Sequence, residues 1–110
     1  MSLGIEISDR AQSDLAGQYS WYLEQAGVEI AERYLSAFYA SVLRLAAHPG
    51  LGRVRKFRNA ELSGIRSFPI EGSFGVHLIF YRADGLVLSV ERVMHGARDL
   101  PRRLLEREET

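Results

Sequence analysis

The chain has 110 residues, of which 46% are hydrophobic and 25% are charged, and this composition predicts one domain over residues 1–110 with one hydrophobic core. The absence of cysteine excludes a disulfide framework and a thiolate metal site. The formal net charge of zero is a weak match to a protein that depends on nucleic acid. No apolar stretch approaches the roughly 20 residues of a membrane-spanning helix, and no signal peptide is recognisable, so we expect a cytoplasmic protein.

The first part of the chain predicts a short strand followed by two long helices. Leu3–Ile7 alternates apolar and polar residues, which is typical of a strand. Ser8 and Asp9 then supply the side chains that cap a helix N-terminus. Apolar residues recur at helical spacing on both sides of Gly27, a residue type that commonly ends a helix. Pro49 prevents the second helix from continuing much further, so we predict a helical hairpin.

The segment after the second helix, residues 49–60, is predicted to be a strongly basic loop. Four cations are concentrated in it: Arg53, Arg55, Lys56 and Arg58. Residues 53–103 hold ten bases against five acids, which leaves this part of the chain with a net charge of +5. A basic face can meet an acidic partner or phosphate groups. The alternative interpretation is a solvated surface without a partner.

Three strands are predicted after the loop. The first, Leu62–Ile70, contains a proline, which favours a sheet edge or a strand end. The second, Phe74–Arg82, is nearly all apolar at its centre and is predicted to be a central strand. The turn residues Asp84 and Gly85 join it to the third, Leu86–Met94, in an antiparallel hairpin.

The predicted order is β-α-α-β-β-β with an optional helix over residues 100–109, an α+β fold whose helical hairpin covers an antiparallel sheet. Two segments at the end of this order are distinctive, Leu78–Arg82 and Arg92–Leu100. With Leu45–Pro49 and Leu62–Arg66 they make nearly the whole chain resemble the RelE/ParE superfamily of toxins from bacterial type II toxin–antitoxin pairs. No single segment is a signature, but the order and the length together are fairly specific.

The resemblance implies a toxin that a cognate antitoxin of the ParD-like or a related type holds inactive in a higher-order hetero-oligomer. The ParE-like branch poisons DNA gyrase, and the RelE-like branch cleaves messenger RNA in the ribosomal A site without metal. The residues His95–Asp99 resemble the ParE-like branch, which implies gyrase inhibition by binding and no catalysis. The alternative is a ribosome-dependent endoribonuclease, with His77, Tyr81, His95 and Arg98 as its candidate residues.

Two features of the sequence disfavour the endoribonuclease. The tail, residues 102–110, has no aromatic residue or histidine that could stack on or protonate the scissile nucleotide. A neutral chain is also a poor match to a protein that works inside ribosomal RNA. We therefore expect target contacts from the four bases of the loop and from three further residues: Arg92, His95 and Arg98. The three histidines lack the spacing of a metal site, so no metal or other cofactor is expected.

Arg92 and the two strand histidines also have structural interpretations. Arg92 is expected on the same sheet face as Val90, and a buried guanidinium there would need a carboxylate. The candidate carboxylates are Glu61, Glu71 and Asp99. His77 is interpreted as a hydrogen-bonded histidine of the sheet face, and His95 as a strand-end histidine that bonds backbone or Asp99.

The helices carry more aromatic residues than one face of each can bury. Trp21 lies off the stripe formed by Leu15, Tyr19 and Tyr22, so we expect it to be partly exposed. Exposed aromatic residues mark partner surfaces. We predict that the antitoxin, or a second toxin copy, contacts five residues of the hairpin: Tyr19, Trp21, Tyr22, Leu35 and Tyr39.

Overall fold

The structure, a computed structural model, describes residues 2–96 and 104–105. Two helices, α1 (Asp9–Ala26) and α2 (Val28–Ala47), form the predicted hairpin. The strands are β1 (Gly4–Ile7), β2 (Arg53–Val54), β3 (Arg66–Pro69), β4 (His77–Asp84) and β5 (Val87–His95). Within the described residues, neither helix is apolar enough over a sufficient length to cross a membrane.

The ends of α1 follow from local chemistry. The Ser8 hydroxyl accepts a hydrogen bond from the Ala11 amide at 3.0 Å, which satisfies one of the free amides of the first turn. Gly27 adopts a φ of 95°, a conformation that favours glycine, and its amide donates to the carbonyls of Leu23 and Tyr22. Because α2 begins at the next residue, the predicted break between the helices is confirmed.

The five strands form one sheet in the order β1-β5-β4-β3-β2. The α+β class is confirmed, and strands β2 to β5 pair antiparallel as expected. β1, however, pairs parallel with β5, with Gly4 opposite Val87 and Ile7 opposite Val90. The sheet is therefore mixed, a difference that alternation could not predict because parallel and antiparallel neighbours share the same two-residue period.

Two boundaries in the basic part of the chain differ from the prediction. β2 lies inside the predicted loop, because a strand of two residues is too short to show a period. β3 begins at Arg66, four residues after the predicted start at Leu62. Leu62 instead ends a 3₁₀ turn and is buried. The prediction assigned it to the strand because a buried apolar residue of a turn has the same hydrophobicity as a strand residue. The strand ends at Pro69, one residue before the predicted Ile70, which fits the strand-end interpretation of the proline. It is not the sheet edge, because β2 pairs with its outer side.

β4 and β5 form the predicted antiparallel hairpin, and β4 lies centrally between β5 and β3. Gly85 makes the turn with a φ of 60°. β4 begins at His77, three residues after the predicted start, because Phe74 ends a 3₁₀ turn that begins at Gly72, where φ is 73°. These shifts leave the centre of each strand in its predicted place.

The sheet is covered on both faces, whereas one core was predicted. The larger cluster lies between the sheet and the hairpin and includes Tyr34, Phe38, Tyr81, Leu88 and Val93. A second cluster, on the opposite face, consists of Leu62, Ile65, Phe80, Met94 and Leu104. The segment between β2 and β3 therefore supplies apolar cover as well as charge.

A β-bulge at Glu91 changes the face on which Arg92 lies. Tyr81 pairs with Val90, but the preceding residue Phe80 pairs with Arg92, so Glu91 is an extra residue in β5. Val90 and Val93 both pack in the hairpin-facing cluster, whereas Arg92 lies opposite a residue of the second cluster. The prediction that Arg92 shares the face of Val90 was therefore wrong.

Candidate functional site

Arg92, an expected target contact, is a buried residue paired with Asp14 of α1. The residue is 9% exposed, and its Nε and Nη2 atoms donate to Asp14 Oδ2 and Oδ1 at 2.7 and 2.9 Å. The carboxylate is therefore neither Glu61 nor Glu71, and the third candidate, Asp99, lies outside the described residues. Asp14 is 78 positions away in the chain, so no local pattern could indicate the pair.

The pair belongs to a set of α1 side chains that cover the edge of β5. β1 covers this edge only as far as Val90. Beyond that point, Asp14 Oδ2 accepts the Val93 amide proton at 3.0 Å, and the Gln18 amide donates to the Val93 carbonyl at 2.8 Å. Unpaired strand edges invite pairing with other chains. Arg92 therefore helps to hold α1 against the edge of β5, and its guanidinium is not free for a target.

His77 and His95 lie opposite each other on β4 and β5, with ring centroids 6.2 Å apart. His95 is exposed at the end of its strand. His77 is 9% exposed and packs against the rings of Tyr22 and Tyr34, at centroid distances of 5.7 and 5.2 Å. Phe74 closes the same cluster by contacting both tyrosines. We call these four packed rings, those of Tyr22, Tyr34, Phe74 and His77, the aromatic corner.

The imidazole of His77 is only half satisfied. Its Nε2 lies 2.9 Å from the Tyr22 hydroxyl, whereas its Nδ1 is buried without a hydrogen-bond partner among the described residues. Burial lowers the pKa of His77, and the neighbouring His95 lowers it further. The predicted sheet-face histidine is therefore present, and its surroundings favour the neutral ring.

The Tyr81 hydroxyl has a structural role at the start of β2. It accepts a hydrogen bond from the Gly52 amide at 2.8 Å and donates one to the Pro49 carbonyl at 2.7 Å. Burial raises the pKa of Tyr81. A Cβ at position 52 would overlap the Tyr81 ring, so the approach of the chain to β4 requires glycine.

The four residues of the nuclease hypothesis are only partly brought together. His77 and His95 are neighbours, but Tyr81 lies four residues further along β4, about 13 Å away at strand geometry. Arg98 lies outside the described residues. Among the described residues, no three side chains of metal-ligating type come close enough to hold an ion.

Three of the five predicted antitoxin contacts lie along one face of the hairpin. Tyr39 is exposed, whereas Tyr19 and Leu35 are half-buried and Leu35 also packs against the larger cluster. Leu35 and Tyr39 lie on α2, and the Tyr19 hydroxyl of α1 donates to Glu32 Oε1 at 3.2 Å across the two helices. Further exposed apolar residues continue this face by helical spacing. We call the set the hairpin surface, and it consists of Tyr19, Leu23, Val28, Leu35, Tyr39 and Leu43.

The hairpin surface contains three residues that the sequence interpretation missed, Leu23, Val28 and Leu43. Val28 is 56% exposed and Leu43 is 63% exposed. The spacing of positions 28, 35, 39 and 43 was a detectable signal, because it places a second apolar stripe on a helix whose first stripe is buried.

Trp21 and Tyr22 lie on the other flank of α1, towards β4 and β5. Trp21 is 58% exposed, which confirms the expected exposure. It follows Asp14 by seven residues and Gln18 by three, and both of those side chains bond to β5, so the indole lies on the same side of α1. Tyr22 turns into the aromatic corner. The predicted antitoxin contacts therefore divide between two surfaces.

The four predicted loop cations lie on and beside β2, at the edge of the sheet, and we call them the basic edge. Arg53, Lys56 and Arg58 are exposed. The guanidinium of Arg55 lies 5.9 Å from the ring centroids of both Phe57 and Phe80. Within residues 2–96, the ion pairs involve other bases, and none of these four cations pairs with a carboxylate.

A protein-family model matches most of the chain. The model of the ParE toxin of the type II toxin–antitoxin system parDE matches residues 5–100. Toxin ParE1 of Mycobacterium tuberculosis is 32% identical over 105 residues, which cover 94% of this chain and 100% of that protein. Toxin ParE1 of Caulobacter vibrioides is 30% identical over 89 residues, which cover 81% of this chain and 84% of that protein.

Two solved structures share the fold. A chain of the chromosomal ParDE toxin–antitoxin system from P. aeruginosa superposes with a TM-score of 0.70 at 21% identity, covering 86% of this chain and 96% of that one. A chain of the toxin–antitoxin complex RelBE2 from Mycobacterium tuberculosis gives 0.60 at 19% identity, covering 86% and 92%. At these identities the likeness concerns the fold alone.

Proposed function

The chain belongs to the ParE toxin family of type II toxin–antitoxin systems, and we propose that it inhibits DNA gyrase by binding, with no catalytic step of its own. Family membership supports this target, because the ParE-like branch that the sequence resembles poisons gyrase. A cognate antitoxin would neutralise it, since both structural neighbours come from toxin–antitoxin systems.

The observation that most supports binding over RNA cleavage is the burial of the Tyr81 hydroxyl. Cleavage of RNA by its own 2′-hydroxyl needs a base and an acid at one exposed place. The Tyr81 hydroxyl is held by Gly52 and Pro49, and the Nε2 atom of His77 is held by Tyr22. Of the nuclease candidates within the described residues, only His95 is exposed.

The proposed target contacts are His95 and the basic edge, in which Arg53, Lys56 and Arg58 are exposed and Arg55 is half-buried. Arg92 is left out because its guanidinium is buried against Asp14. Arg98 is kept as a candidate from the sequence, although it lies outside the described residues. His95 and the basic edge are carried by β5 and β2, so a target that contacted both would cover a large part of the sheet end and edge.

For the antitoxin we propose the hairpin surface as the main docking site. Its six side chains are apolar or aromatic, and the most exposed of them lie on α2 at the spacing of one helix face. An amphipathic helix that lays its own apolar face on such a stripe buries both. Trp21 would be reached only by an antitoxin segment that also crosses to the β5 side of α1.

The proposal is tested by two assays on the same purified chain. One measures gyrase supercoiling of relaxed plasmid, and the other measures cleavage of messenger RNA on translating ribosomes. We expect loss of supercoiling and intact RNA, with supercoiling restored by the cognate antitoxin. Cleaved RNA with unaffected gyrase would establish the endoribonuclease instead.

Within the gyrase assay, His95→Ala is expected to weaken inhibition, since the His95 side chain is exposed and forms no hydrogen bond or ion pair within residues 2–96. Its ring contact is with His77, at a centroid distance of 6.2 Å. Leu86→Ala is a suitable control because Leu86 is 76% exposed in the β4–β5 turn and belongs to neither proposed surface. Equal inhibition by both variants would remove His95 from the target contacts.

A further inference from the structure

We infer that the basic edge binds the phosphate backbone of duplex DNA directly, without help from a protein partner. This inference deepens the proposed function, since gyrase holds duplex DNA. It rests on the proposed function for its role in the cell, whereas DNA binding itself can be tested without gyrase. The physical argument concerns Arg53, Arg55, Lys56 and Arg58 themselves.

The first step is local charge. Residues 53–58 contain four cations and no acid, whereas residues 1–48 contain three bases and six acids. The formal net charge of zero therefore results from acids that lie elsewhere in the chain, and it does not describe this edge. The ion pairs within residues 2–96 use Arg44, Arg82 and Arg92. The four cations of the basic edge have no carboxylate partner there, and the three exposed ones, Arg53, Lys56 and Arg58, keep their charge available to an outside anion.

The second step is the support beneath the cations. Arg53 is anchored by the pairing of β2 with β3, opposite Ser67. The amide of the preceding residue, Gly52, is held by the Tyr81 hydroxyl at 2.8 Å. Further along, Phe57 packs on the second cluster, and Arg55 lies over its ring. The backbone that carries the charges is thus fixed at both ends, which reduces the entropy lost when an anion binds.

The third step is the shape of the surface. An open surface groove is lined by five consecutive residues, Arg53–Phe57. Six extended residues span at most about 17 Å, the length of about five base-pair steps. Three of the four cations are arginines, whose planar guanidinium groups can bond phosphate oxygens in pairs.

The alternative occupant is an acidic peptide that adds a strand to the sheet. Strand addition depends on main-chain hydrogen bonds along an edge and on pockets for alternate side chains. β2 offers only two residues of edge, and its groove is lined mainly by cations. The observations therefore favour a ligand recognised through charge alone, as the DNA backbone is.

The test is fluorescence anisotropy with a labelled 30-base-pair duplex of random sequence and the full chain without gyrase. If the three exposed cations each neutralise one phosphate, affinity should fall roughly 40-fold between 50 and 200 mM salt. Binding that does not change with salt, or no binding at 50 mM salt, would overturn the inference.

A matched pair of variants separates a local site from net charge. Arg58→Glu and Arg33→Glu change the net charge equally, and both residues are exposed. Arg33 lies 14 residues before the end of α2, about 21 Å along the helix. We expect Arg58→Glu to weaken DNA binding about tenfold and Arg33→Glu to change it less than twofold. Equal losses would mean a net-charge effect and no site.

Two further outcomes keep this inference separable from the proposed function. A polyglutamate peptide of equal charge that competes as well as DNA would assign the edge to an acidic protein partner. Gyrase inhibition by a chain that binds no DNA would leave the proposed function intact and overturn only this inference. DNA binding without gyrase inhibition would overturn the proposed function and leave this inference intact.

Discussion

Arg92 and the basic edge were both predicted to contact the target, but the structure places them in opposite environments. Arg92 is 9% exposed and forms two hydrogen bonds with Asp14. Arg53, Lys56 and Arg58 face solvent without a carboxylate partner within residues 2–96. Burial beside a carboxylate makes an arginine a structural residue, whereas exposure leaves it free to bind. The two regions should therefore respond in opposite ways to mutation.

The largest effect is expected from Asp14→Ala. The substitution leaves the Arg92 guanidinium buried without its carboxylate and the Val93 amide without its acceptor. Breaking a buried pair from one side costs about 3–5 kcal/mol, to be measured as the free energy of unfolding in urea. A loss below about 1 kcal/mol would show that the pair is solvated and that the contrast with the basic edge is false.

Gly52→Ala probes the anchor that connects the basic edge to the core. The added methyl group would overlap the Tyr81 ring, and the resulting displacement should cost about 1–3 kcal/mol of unfolding free energy. Gly50→Ala is the matched control, because a Cβ there meets no atom within 4 Å. Equal stability of the two variants in thermal unfolding would contradict the close contact.

Tyr39→Ala extends the comparison to apolar side chains. Tyr39 is 50% exposed on the hairpin surface, so its removal should hardly change stability but should weaken antitoxin binding by about 1–2 kcal/mol, or roughly tenfold. Titration calorimetry with the cognate antitoxin measures the loss, and Leu86→Ala serves as the control. An unchanged affinity would show that the antitoxin binds at another surface.

His77 predicts a pH dependence of stability. Since the pKa of folded His77 lies below its ordinary value of 6.5, the unfolded chain binds the proton more readily. The contribution of neutral His77 to the free energy of unfolding is therefore fully present above about pH 6.5, and it declines as the pH falls towards the pKa of the folded state. The effect is measured by comparing the free energy of unfolding in urea of the wild type and His77→Gln between pH 7.5 and 5. His48→Gln, at an exposed histidine, is the control. Parallel pH profiles for wild type and His77→Gln would contradict the effect.

The smallest change in stability is expected at the basic edge. Replacing Arg53, Lys56 and Arg58 together by glutamine removes three exposed cations and no ion pair within residues 2–96. The free energy of unfolding should stay within about 0.5 kcal/mol of the wild type, while DNA binding and gyrase inhibition weaken. A loss of stability as large as that of Asp14→Ala would mean that these cations are structural as well.

The elements were predictable because their signals are local. The helical hairpin depends on Ser8, Gly27 and the apolar period between them. The β4–β5 hairpin depends on Gly85, although its turn is formed by Gly85 and Leu86, one residue later than the predicted Asp84–Gly85. The exposure of Trp21 followed from its position off the apolar stripe. Leu62 shows the limit of this reasoning, since a buried residue of a turn has the same hydrophobicity as a residue of a strand.

The sequence by itself determined the order of the elements, the α+β class and the superfamily that the chain resembles. Only the tertiary structure decided the parallel pairing of β1, the partner of Arg92 and the division of the helix aromatics between two surfaces. The physical reason is that capping, turns and periodicity act between neighbours in the chain, whereas side-chain pairing depends on register and docking. One extra residue at Glu91 reversed the face of Arg92, and a carboxylate 78 residues away then gave it a structural role.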